Sequence, residues 1–144
     1  MSSSDNRKLN IALLILRVGI GMTMCVAHGI DKINGDAESW ARLGLNGVGW
    51  LGIESWLVVF GLTAALAESL GALLVAAGLL TRTAAVWLAL TMLMAMMFHI
   101  DRGDPFARAS HALELTVIFS VIAVLGPGRF SIDGWLAARK SQAS

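Results

Sequence analysis

Three ionisable residues, Arg17, Glu68 and Glu114, interrupt apolar stretches of this 144-residue chain, and its three histidines, His28, His99 and His111, stand at the ends of such stretches. A charged group at bilayer depth costs roughly 2.5–3.5 kcal/mol even on lenient insertion scales, so such groups turn to an interior and find partners. Imidazole and carboxylate together can hold a metal, relay a proton, or hydrogen-bond the carbonyls of a quinone or another polar headgroup. No His-x-x-His or Glu-x-x-His spacing occurs, and no metal site is assigned. The single cysteine, Cys25, permits neither an internal disulfide nor dithiol chemistry, so a redox role would need a bound cofactor or a partner.

These residues need a scaffold, and the composition says which kind. With 56% of residues apolar, 15% charged and a mean hydropathy of +0.71, the chain is too apolar for a soluble domain of its length and is expected in a lipid bilayer. A net charge of +1 gives no broad basic face, hence no support for nucleic-acid binding. A helix needs about 20 apolar residues to cross the hydrocarbon core. Four segments qualify, at residues 10–30, 56–80, 83–100 and 109–125. The first exceeds the roughly 7–15 apolar residues of a cleaved signal and is read as a retained span.

The tight connections at 81–82 and 101–108 make spans two to four antiparallel neighbours. The sequence thus predicts an all-α, four-transmembrane-helix bundle forming one membrane domain over residues 1–144. The connection 31–55, rich in Gly and Trp, is expected as a folded external loop, with a short interfacial helix as the alternative; Gly126-Pro127-Gly128 ends the fourth span and leaves a short polar tail. Arg7, Lys8, Arg82, Arg129, Arg139 and Lys140 fall on the side of the termini, against Lys32, Arg42, Arg102 and Arg108 opposite, which predicts cytoplasmic termini.

In that frame Arg17 lies roughly 16 Å inward of His28, and Glu68 roughly 18 Å inward of Trp56, at 1.5 Å per residue. The two share a level, so an Arg17–Glu68 ion pair is expected, either fixing helix register or taking part in ligand or proton handling. Nearer the outer surface His28, Lys32, His99, His111 and Glu114 converge from three helices, with His111 and Glu114 on one face at i, i+3, and form the expected ligand or proton site. Gly19 and Gly21 read as packing notches, and the methionines of spans one and three as flexible filling.

Leu16-Arg17 with Gly19 and Gly21, Ala27-His28-Gly29 with Lys32, Glu68 with Gly71, and Gly78-Leu79-Leu80-Thr81-Arg82 resemble the DoxX family of small bacterial and archaeal membrane proteins, over about residues 11–126. The resemblance implies a four-helix protein of the inner cell membrane associated with redox processes, since the family takes its name from a small subunit of a thiosulfate:quinone oxidoreductase. Arg17, His28, Lys32, Glu68 and Arg82 carry over as family-pattern positions without assigned chemistry. The resulting expectation is a redox-associated membrane subunit, rather than a stand-alone enzyme, that binds a quinone or similar amphiphile and works with a partner oxidoreductase. In it the histidines would hydrogen-bond or exchange protons with the ligand, Glu114 would tune a histidine, and Arg17–Glu68 would brace the pocket floor. A small proton-coupled transporter or lipid-handling protein, and a purely structural membrane partner, are the competing expectations. Close-packing glycines make a homodimer plausible.

Overall fold

The computed structural model describes residues 3–142, which form helices joined by turns, with no strand among them. Four helices are long and apolar enough to cross a bilayer: Ser4–Ile33, Leu57–Ala77, Thr81–Asp101 and Phe106–Leu125. The first comprises α1 (Ser3–Met24), a π-helical turn (Cys25–Gly29) and α2 (Ile30–Ile33). Next comes α3 (Ala37–Val48), and then the second span, built from α4 (Leu57–Leu66), a second π-helical turn (Ala67–Gly71) and α5 (Ala72–Ala77). The third and fourth spans are α6 (Thr81–Asp101) and α7 (Phe106–Leu125), and α8 (Ile132–Gln142) follows. The bundle is therefore all-α and four-spanning, as the hydropathy pattern predicts, with both described ends on one face, here the terminal face.

Local chemistry explains where the helices stop. Asp36 accepts a hydrogen bond from the Ser39 N–H at 2.8 Å and so caps α3. That bond is also the main reason its carboxyl lies below the usual carboxylate range. Gly78, at φ +74°, ends α5 in the left-handed conformation that glycine adopts without strain, and the N–H groups of Gly78 and Leu79 return to the Leu74 carbonyl. The core is a small-residue seam of Ala67, Ala72, Val75, Ala84 and Ala85 closed by Leu88, Phe119 and Ile122. Ile15, Val26, Leu73, Val117 and Val124 point outward, where lipid tails accommodate them.

The connection between the first two spans is not the folded external loop expected from sequence. It is α3 lying along the far half of the second span at backbone contact. A Cβ on Gly44 would come within 1.9 Å of the Leu57 carbonyl oxygen, and one on Gly61 within 1.8 Å of the Trp40 carbonyl oxygen. Lower down, Gly21 and Gly29 let the first span close on the second: a Cβ at Gly29 would stand 2.4 Å from the Glu68 carbonyl oxygen. Gly19, expected as a second notch, faces open space.

On the terminal face the expected polar tail is instead a built element. Asp133 of α8 accepts from the N–H groups of Leu80 and Thr81, each at 3.0 Å, and from the Thr81 hydroxyl at 2.9 Å, capping α6 from 52 residues away. Burial alone would raise the Asp133 carboxyl, but these donors and the nearby Arg17 charge hold it below its usual value.

Two outcomes follow from this packing. Gly29→Ala is expected to cost about 1–3 kcal/mol by forcing the two spans apart, whereas Gly19→Ala should gain about 0.5–1 kcal/mol by removing a flexible residue from a helix; thermal unfolding in mild detergent distinguishes them. Because the Asp133 carboxyl is depressed in the fold, its contribution is complete above the unfolded value of 3.8 and lost as the pH falls through the lower folded one. Asp133→Ala should therefore lower stability by about 1 kcal/mol at neutral pH and lessen the loss on acidification.

Candidate functional site

The chain places its most deeply buried carboxylate in the second π-helical turn. Glu68 is 2% exposed. A π-turn widens the helix and leaves a carbonyl without its usual partner, and such turns concentrate at functional sites. Within this turn the Ser69 hydroxyl donates to the Ala65 carbonyl at 2.7 Å. The other π-helical turn, carrying His28, packs against this one through Gly29, so two irregular turns face each other at one depth.

Glu68 pairs with Lys32, Nζ to Oε2 at 2.5 Å. The expected Arg17–Glu68 pair is not formed. Gly29 rather than Arg17 stands at the level of Glu68, eleven residues inside the start of the second span at Leu57, so the first span ends short of the second on the outer side. Arg17 arrives opposite Val75, seven residues or roughly 10 Å farther along the second span. Its side chain, fully buried, donates to the carbonyls of Val75 at 3.0 Å, Ala76 at 3.2 Å and Phe130 at 2.7 Å. Its Nε has no partner among the described residues.

The outer cluster divides into separate groups. His28 and His111 approach with ring centroids 6.0 Å apart. His99 instead bonds Asp104 through Nδ1 at 2.8 Å, inside a connection where Arg108 also reaches Asp104 at 3.5 Å. The His99 bond is the largest reason that the Asp104 carboxyl is held below its usual range. Glu114 is exposed on α7 and bonds no histidine among the described residues. Lys32 has left the group to join Glu68. Convergence therefore holds for His28 with His111, and not for His99, Glu114 and Lys32.

A cavity of about 490 Å³ between α3, α4 and α6 is where the polar pair meets apolar space. Lys32 and Glu68 form its polar end; Phe60, Trp87, Leu90, Met94 and Phe98 supply apolar wall, and Gly44, Gly47 and Val48 of α3 close the side. Trp40 fixes α3 over this end by donating its indole N–H to the Lys32 carbonyl at 2.9 Å. A largely apolar chamber with a few polar groups at one end has the form of a small-ligand site, and its size lies within the roughly 300–1,000 Å³ typical of them. The histidines expected to touch a ligand do not line it, and the wall supplied by α3 was missed from sequence. Trp40 and Gly44, one turn apart, form the close-packing face on the second span that would have marked α3 as part of the bundle.

Glu68 is buried, while the Lys32 side chain remains 32% exposed. Lys32→Met, which strands a buried carboxylate, should cost about 3–5 kcal/mol. Glu68→Gln leaves an ammonium that still reaches polar surroundings, and should cost about 1 kcal/mol. A double-mutant cycle on thermal stability reads the coupling, and equal costs for the two single changes would contradict this asymmetry.

Comparison with known proteins adds one assignment. No curated protein and no solved structure matches the chain. The DoxX family model matches residues 12–101, which hold most of the first span, the whole of the second and third, both π-helical turns, the Lys32–Glu68 pair and every wall of the cavity. By that match, covering well over half its length, the chain belongs to the DoxX family.

Proposed function

We propose that this protein is a redox-associated membrane subunit whose α3–α4–α6 cavity holds a quinone or similar amphiphile for a partner oxidoreductase. The observation that carries the reading is the Lys32–Glu68 pair at the polar end of an aromatic-lined chamber within the span region. The Lys32 ammonium has three donor hydrogens, and its bond to Glu68 leaves others for a ligand carbonyl. Glu68 holds that ammonium in place and offers an acceptor to a ligand hydroxyl. Phe60, Trp87 and Phe98 give a flat ring apolar and aromatic contact. With a single cysteine the chain has no dithiol couple of its own, and in this reading the electrons pass between the bound ligand and the partner's groups.

Membership of the family supports a multi-pass membrane protein, and we place it in a bacterial or archaeal inner membrane with cytoplasmic termini. The basic-residue bias, six against four, supports that orientation.

Titration of the purified protein with a short-tailed quinone should quench the fluorescence of Trp87 saturably. Lys32→Met should weaken binding by about tenfold or more, the scale of one charge-assisted hydrogen bond. Crosslinking in native membranes should capture an oxidoreductase. Absence of saturable binding, or unchanged affinity in a folded Lys32→Met protein, would overturn the reading; solute-dependent proton flux abolished by Glu68→Gln would put a transporter in its place.

A further inference from the structure

We propose that a second concavity, on the terminal face, binds the phosphate of an anionic phospholipid from the surrounding leaflet. The concavity, about 530 Å³, lies between the first turns of α1 and the segment after the fourth span, with Asn6, Arg7, Asn10, Arg129 and Phe130 in its wall. Arg7 and Arg129 come from opposite ends of the chain, and neither guanidinium has a partner among the described residues. No carboxylate of those residues lines the wall.

The juxtaposition is built rather than incidental. Asn10 Oδ1 accepts the Arg129 backbone N–H at 2.5 Å, while Asn10 Nδ2 donates to the Asn6 carbonyl at 2.6 Å. Gly128, at φ +71°, makes the turn that delivers Arg129 to this position. The same segment is anchored from below, because the Phe130 carbonyl accepts from buried Arg17.

Apolar surface adjoins the cations. Phe130 is 45% exposed in the wall itself, and Ile132, Trp135 and Leu136 are exposed on α8, which follows it in the chain. Arg139 lies over the Trp135 ring, 3.8 Å from its centroid. The site stands where the first span begins, at the level expected for headgroups. Two unpaired cations beside exposed apolar side chains at that level suit a phosphate that carries acyl chains, whereas a free anion would use only the arginines.

Native mass spectrometry of the full-length protein, given equal amounts of phosphatidylglycerol and phosphatidylcholine in detergent, is expected to show one retained phosphatidylglycerol. Retention should fall about fivefold in Arg7→Gln or Arg129→Gln and about thirtyfold in the double variant. Arg42→Gln removes the same charge from the opposite face and should behave as wild type, and a charge-keeping Arg7→Lys/Arg129→Lys variant should retain most of the lipid. Thermal melting establishes that each variant is folded. Equal retention of the two lipids, an undiminished double variant, or an equal loss in Arg42→Gln overturns the proposal. So does bound inorganic phosphate that phosphatidylglycerol fails to displace, since the ligand would then be a free anion.

Discussion

The end of the second span exposes carbonyls that no helical N–H can reach, and inside a bilayer an unsatisfied backbone group costs several kcal/mol. Arg17 meets this constraint. Its fully buried guanidinium collects the carbonyls of Val75, Ala76 and Phe130, joining the first span, the end of the second and the segment leading to α8 at one point. A cation at a helix C-terminus also lies in the favourable field of the helix dipole. With the adjacent Asp133 cap on α6, this node fixes the terminal half of the bundle. The far half is then free to be irregular.

That irregularity is where the chemistry lies. The two π-helical turns meet through Gly29, whose missing side chain allows the first span to touch the Glu68 carbonyl. The contact puts α2, and Lys32 with it, beside the Glu68 carboxylate. The chain then breaks at Gly35 and restarts as α3, which uses Gly44 and Gly61 to lie against α4. Because α3 covers one side only, the space between it and α6 remains as the cavity. Site and fold are thus consequences of the same close approaches, since each glycine that removes a side chain from a contact also positions a wall or a charge.

The division between Arg17 and Glu68 separates two ways of holding a charge in lipid. Glu68 has an opposite charge at hydrogen-bond distance, whereas the hydrogen bonds of Arg17 go to dipoles, three carbonyls, with the Asp133 carboxylate nearby but not bonded to it. A dipole cage suits a brace, because it changes little when a neighbouring group gains or loses a proton. An ion pair beside a cavity is more easily re-formed around an incoming polar group, which is why the candidate site rests on Lys32 and Glu68.

The four spans, the helical class and the presence of buried charges were legible in the sequence, because the cost of placing polar groups in lipid is written in composition and length alone. Gly21 and the shared outer level of His28 and His111 were legible as well, since both follow from the regular rise of a helix. The partners of the buried charges were decided by tertiary structure. Depth estimates assumed that the first two spans end level on the outer side, whereas Gly29 stands beside Glu68, eleven residues inside the start of the second span at Leu57, and the outer part of that span packs on α3 instead. A shift of two turns at 1.5 Å per residue exceeds the reach of a hydrogen bond, and it moved Glu68 from Arg17 to Lys32. The cavity was likewise hidden, because an apolar segment too short to span carries no length signal of its own. Only its glycines, once paired with those of a neighbouring helix, determine that it packs inside.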